Sequence, residues 1–212
     1  MITSENINKM KTILTSTRVI PVMVIDHLDD AIPLAKALID GGLNVLEITL
    51  RTSVALDAIK QIKKAFPSAI IGSGTVVDEK TLEQSMSANV DFLVSPGTHA
   101  KLIDCAKAND APLLAGVSTA SEVMNLQSHG FHCMKFFPAA AAGGPSMLKS
   151  IGGPLPDVTF CPTGGISLET APNYLALSNV ACVGGSWMLN KELIKNKNWN
   201  EITALAKQAS EL

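Results

Sequence analysis

Aromatic side chains are few in this chain: six phenylalanines, two tryptophans and one tyrosine, 4% of 212 residues. Charge is also sparse, at 17% of residues with a net of −2. A chain without a basic excess has no electrostatic case for nucleic acid or an anionic membrane surface. There are four cysteines, Cys105, Cys133, Cys161 and Cys182, in no CxxC or metal-ligand spacing. That excludes a disulfide scaffold or a thiolate metal site and leaves buried thiols in a reducing compartment. No run reaches 18 apolar residues, and the opening MITSENINKMKTILTSTR has no signal-type apolar stretch. The expectation is a soluble cytoplasmic protein.

What is present is apolar bulk, 47% of the residues, enough to bury the core of one domain spanning 1–212. It is distributed in short runs at 18–25, 44–50, 69–76, 91–97, 112–117, 133–138, 158–166 and 180–186, with amphipathic segments between them. Gly41-Gly42 ends the first of the intervening helices, and Thr119 with Glu122 forms a capping box that opens the fifth. Strand then helix, eight times over, implies parallel strands joined by crossovers. Eight such units close into a (β/α)8 barrel, an α/β fold whose lower size limit is about 200 residues. Segments at about 4–16 and 199–211 read as additional helices that cover a barrel end or a subunit surface.

Strand side chains alternate between two faces. In VLEITLR, Leu46, Ile48 and Leu50 form the set that meets the helices, so Val45, Glu47, Thr49 and Arg51 face the barrel axis. Four residues of strand put Arg51 roughly 13 Å from Glu47, nearer the C-terminal mouth. In CMKFFPA, Met134 and Phe136 turn to the helices and Lys135 points inward with Cys133 and Phe137. Ser73 and Thr75 share a parity, assigned inward. A carboxylate and an ammonium thus face each other in a barrel interior, where desolvating each costs several kcal/mol unless they pair. A structural salt bridge is one reading. The other is chemistry, because enzymes of this fold react at the C-terminal ends of strands and a desolvated lysine tends toward the free amine that attacks carbonyls.

Two glycine pairs follow, Gly164-Gly165 in PTGGI after the seventh strand and Gly184-Gly185 in VGGSW at the eighth. Glycine lets backbone N–H groups approach an anion, and the loops after strands seven and eight form the recurrent phosphate site of this fold. The four histidines, His27, His99, His129 and His132, fall at loops or helix ends and read as surface residues, with His99 nearest the active face. Trp187 reads as packing beneath the phosphate loop.

Taken in order, EITLRT (47–52), GSGTV (72–76), SPG (95–97), KFFPA (135–139), CPTGGI (161–166) and GGSW (184–187) resemble 2-keto-3-deoxy-6-phosphogluconate (KDPG) and 4-hydroxy-2-oxoglutarate aldolases from about residue 18 to 190. The resemblance implies a metal-free class I (Schiff-base) lyase, a homotrimer, with a phosphorylated keto acid and pyruvate as its partners. It implies Lys135 as the Schiff-base lysine and Glu47 as the general acid/base. It further implies Arg51 and Thr75 as carboxylate ligands and Pro96, Phe137 and Thr163 as pocket walls, with Gly164, Gly165, Gly185 and Ser186 at the phosphate. Two positions depart from the family pattern: Ala140 stands where glutamate is common and Ala115 where proline is frequent. The first bears on loop closure and substrate preference. Alternatives are the galactonate-derived epimer as substrate, or a phosphosugar-binding barrel, isomerase or sensor, that forms no imine.

Overall fold

A computed structural model describes residues 3–212. Eight strands run β1 (Val19–Met23), β2 (Val45–Thr49), β3 (Ile70–Gly74), β4 (Phe92–Val94), β5 (Leu113–Val117), β6 (Cys133–Phe136), β7 (Thr159–Pro162) and β8 (Val183–Gly185). Helices flank and separate them: α1 (Ser4–Thr15), α2 (Ala31–Asp40), α3 (Ala55–Ala65), α4 (Glu79–Ser87), α5 (Ala100–Ala108), α6 (Ala120–Ser128), α7 (Gly144–Gly152), α8 (Ala171–Leu175), α9 (Lys191–Lys195) and α10 (Trp199–Ser210). Every strand pairing is parallel, in the order β7-β6-β5-β4-β3-β2-β1-β8. Parallel bridges Phe160↔Val180 and Thr163↔Gly184 join β7 to the β8 segment and close the ring into a (β/α)8 barrel.

Alternation along the strands divides the apolar residues into two shells. Leu46, Ile48, Met134, Phe136 and Phe160 face outward and share one cluster with helix residues such as Leu38 and Ile59. Phe136 and Phe160 meet edge to face, ring centroids 6.4 Å apart. Inside the barrel, Ile20, Val45, Phe92, Val94, Leu114, Cys133, Cys161 and Cys182 form a second cluster with Met10, Ile13 and Leu14 of α1. Most of these inner residues lie in the N-terminal halves of their strands, so α1 plugs the N-terminal end of the barrel. Thr3 and Asn6 secure the start of α1: the Thr3 N–H and Oγ1 donate to the Asp110 carboxylate and Asn6 Nδ2 donates to the Asp110 carbonyl. Each fully buried aliphatic side chain contributes about 1.5–3 kcal/mol.

The parity assigned to β3 needs correction. The register pairs inward Glu47 with Gly72 and outward Ile48 with Ser73, so the inward positions of β3 are Gly72 and Gly74. Ser73 faces the helices, fully buried, with its Oγ unpartnered. The strand has no apolar contrast between its faces to reveal this. Bulk on the neighbouring strands decides it: a Cβ on Gly72 would overlap the Phe92 ring and one on Gly74 would overlap Glu47 Oε1. Thr75 lies beyond the end of β3 with φ +63°, so strand alternation does not extend to it.

Candidate active site

Glu47 sits at the middle of β2 and Lys135 near the C-terminal end of β6, both inward. Lys135 Nζ donates to Glu47 Oε1 at 3.4 Å, with side chains 7% and 4% exposed. Among the described residues Glu47 is the one protein acceptor the ammonium meets, although an ammonium carries three donors. The Phe137 ring centroid lies 5.3 Å from Nζ, within cation–π range. Glycine makes room on the Glu47 side of the pair and beside the strand that carries Lys135. Gly74 leaves room for the Glu47 carboxylate, and Gly116, which registers with Lys135, abuts the Pro96 backbone. Strand alternation does not single out these positions, because a glycine carries no side chain whose direction the pattern can show.

Beneath the pair, three thiols line the barrel. Burial pushes the Cys133 thiol up to about 11. Hydrogen bonding with Cys161, followed by burial, raises Cys182 well above the ordinary thiol value. Cys133 and Cys182 are therefore neutral thiols at neutral pH and place no charge beside the pair.

Arg51 is placed at the mouth just past β2, exposed, with Nε donating to Thr49 Oγ1 at 3.2 Å. Thr49 Oγ1 in turn donates to the Met23 carbonyl at 2.8 Å, which anchors that link to β1. Arg51 and Ser186 line one cleft of about 900 Å³ with Val22, Val24, Asp26 and His27. Thr75 is half-buried after β3, and Pro96 is half-buried after β4. Thr163, buried, follows β7 and packs on Gly184, where a Cβ would overlap its Oγ1. Gly164 and Gly165 have φ +101° and +72°, a turn that glycine enters without strain. No protein acceptor among the described residues takes the N–H of Gly164, Gly165 or Ser186. Those free donors stand where the β7 and β8 ends adjoin, which suits an anion. Ala140 lies over this turn: its N–H donates to the Gly164 carbonyl, and its Cβ would be 2.7 Å from a Cβ on Gly165. Gly185 is small because the Trp187 ring occupies the space its side chain would fill.

A buried lysine–carboxylate pair inside the C-terminal half of a closed parallel barrel, with glycine-turn donors at β7 and β8, marks the active end of a (β/α)8 enzyme. The family model for KDPG and KHG aldolases matches residues 10–205, and the chain belongs to that family. It is 49% identical over 191 residues, 90% of this chain and 89% of the relative, to 2-dehydro-3-deoxy-phosphogluconate aldolase of Pseudoalteromonas atlantica. It is 45% identical to the KHG/KDPG aldolase of Escherichia coli K12, covering 95% and 94% of the two chains. Among solved structures it resembles KDPG aldolase from Legionella pneumophila, captured with pyruvate as a covalent carbinolamine intermediate, at TM-score 0.93 and 46% identity. That match covers 95% of this chain and 98% of the other. The aldolase of Zymomonas mobilis ZM4, solved with 3-phosphoglycerate, matches at TM-score 0.89 and 46% identity, covering 96% of each chain.

Proposed function

We propose that this protein is a class I aldolase that reversibly cleaves 2-dehydro-3-deoxy-6-phosphogluconate to pyruvate and D-glyceraldehyde 3-phosphate, and that also accepts 4-hydroxy-2-oxoglutarate. The observation that carries this reading is the inward pair of Lys135 Nζ and Glu47 Oε1, 3.4 Å apart and nearly sealed from water. Membership of the aldolase family and the covalent pyruvate adduct of the Legionella relative support it.

Glu47 is within reach to take a proton from Lys135, leaving the amine. The amine adds to the C2 keto carbon, forming a C–N bond, and Glu47 returns its proton to the departing C2 hydroxyl, so that water leaves, a protonated imine forms and Glu47 is again a carboxylate. Glu47, directly or through one water, then takes the C4 hydroxyl proton. The C3–C4 bond breaks, its electron pair flows toward the imine nitrogen, and the aldehyde leaves. The enamine is protonated at C3, and hydrolysis returns pyruvate and the free amine. Positioned acid–base help of this kind is worth about 10²–10⁴ in rate.

Arg51 and Thr75 hold the keto-acid carboxylate in this reading, since a guanidinium can bind it bidentately. Gly164, Gly165, Gly185 and Ser186 hold the phosphate; Phe137, Pro96 and Thr163 wall the pocket. Anchoring both ends fixes the reacting carbons between them, which is where proximity contributes. The reading extends to a cytoplasmic homotrimer, with a mass by light scattering of three times 22.3 kDa.

The deciding experiment is pyruvate plus borohydride followed by peptide mass spectrometry. A reduced pyruvyl adduct on Lys135 is the expected result. No adduct, or an adduct on another lysine, overturns the assignment.

A further inference from the structure

Thr75 has φ +63°, in the left-handed region that a β-branched residue seldom enters. Such a backbone persists where its surroundings over-determine it. The peptides around Thr75 are tied one by one. The Gly74 carbonyl accepts from the Leu50 N–H at 2.8 Å, and the Val76 N–H donates to the Val94 carbonyl at 3.1 Å. The N–H groups of Val77 and Asp78 both donate to Thr81 Oγ1 at 3.1 Å. The Val77 carbonyl is held from outside this loop, by His99 Nε2 at 3.1 Å. His99 also serves as the N-cap of α5, its Nδ1 accepting the Leu102 N–H at 3.3 Å. A carbonyl can only accept and an amide N–H can only donate, so the two bonds assign the proton to Nε2.

The usual N-cap residues, serine, threonine, aspartate and asparagine, supply one short acceptor. A histidine cap adds a second nitrogen on the far side of the ring, and here that nitrogen bridges to the neighbouring loop. We propose that His99 is a positioning residue. It locks the β3–α4 loop to the β4–α5 loop and so holds Thr75 in its left-handed conformation, level with Leu50 and Arg51 at the barrel mouth. The inference rests on the reading that this mouth binds the carboxylate of an α-keto acid through Thr75 and Arg51.

Two variants of the full chain separate the tether from the cap. In His99→Asn, Oδ1 still accepts the Leu102 N–H, but the side chain is too short to reach Val77. In His99→Ala both bonds are lost. Borohydride trapping of pyruvate on Lys135 gives a half-saturation concentration for each. Both variants are expected to raise it about three- to tenfold, the effect of losing one ordinary hydrogen bond on a binding constant, with kcat falling less than KM rises. Tm drops in His99→Ala and stays near wild type in His99→Asn. Amide exchange at Val76, Val77 and Asp78 quickens in both. Wild-type pyruvate half-saturation in His99→Asn overturns the proposal, as does unchanged exchange in that loop. Should the wild-type protein trap no pyruvate at all, the aldolase reading has failed. The exchange measurement then still decides whether His99 fixes this loop.

Discussion

Lys135 and Glu47 are nearly sealed from water and each is the other's ionic partner. Removing one member of a buried pair leaves the other charge uncompensated, and that costs more than removing both. Lys135→Met is therefore expected to abolish cleavage while retaining the fold, and Lys135→Met/Glu47→Gln to be more stable than Lys135→Met by about 1–3 kcal/mol. Chemical denaturation of the two variants checks this; a double variant no more stable than the single one would show that the carboxylate does not need its partner. Glu47 also depends on a residue that carries no functional group. A Cβ at Gly74 would overlap Glu47 Oε1, and the carboxylate is the movable end of that contact. Gly74→Ala should keep a native circular dichroism spectrum and, on the proposed mechanism, lose at least about tenfold in kcat, because a misplaced acid–base group forfeits much of its 10²–10⁴ contribution. The inward parity of both charged residues followed from strand alternation. The role of Gly74 did not, because a glycine presents no side chain whose direction can be read.

Helix ends show the same division at the scale of elements. The box opening α6 was readable as Thr119 followed three residues later by Glu122, and the structure forms it: Glu122 Oε2 accepts from the N–H and hydroxyl of both Ser118 and Thr119. The box opening α4 uses Asp78 and Thr81, a pairing outside the usual Ser/Thr-to-Glu pattern, and was not anticipated. Burial would raise the Glu122 carboxyl, but the bonds from Ser118 and Thr119 outweigh it and hold the group below its ordinary value of 4.5. A folded-state value below the unfolded one means that the cap stabilises at pH above about 4.5 and that this contribution is lost as pH falls through the depressed value. Discounted for its exposure, it is worth about 0.5–1 kcal/mol. The Tm gap between wild type and Glu122→Ala should be open at pH 7 and close as pH falls from 4.5 through the depressed value; a gap constant across that range would place the cap's stabilisation elsewhere. Strand β3 shows the limit of pattern reading. Its I-I-G-S-G sequence has no polar-against-apolar contrast, so its face was set by Phe92 and Glu47 on the neighbouring strands.

Across the whole molecule the barrel has two ends with separate duties. Among the described residues, α1 closes the N-terminal end through Met10, Ile13 and Leu14 against the inner cluster, while the charged pair and the glycine turns occupy the other end. Stability and chemistry are therefore separable. Leu14→Ala removes a side chain that is 0% exposed and should cost about 2–5 kcal/mol in urea unfolding. Its kcat/KM, measured well below the lowered Tm, should stay within about twofold of wild type, since no step of the chemistry passes through the plug. A parallel loss of activity would mean that the plug and the site are coupled through the thiol layer between them.

Local periodicity was enough to specify eight strand–helix units, the outward set on β2 and β6, and the presence of an ammonium and a carboxylate within one interior. Those features depend on the alternation of side chains along a few consecutive residues, which any reader of the chain can count. Closure through Thr163↔Gly184 and Phe160↔Val180, the 3.4 Å between residues 88 positions apart, the face of β3 and the His99 bridge to Val77 were settled by folding. Each of these is a distance between segments far apart in the chain. Such distances follow from how strands register and how bulk fills the space between them, and no local period encodes that.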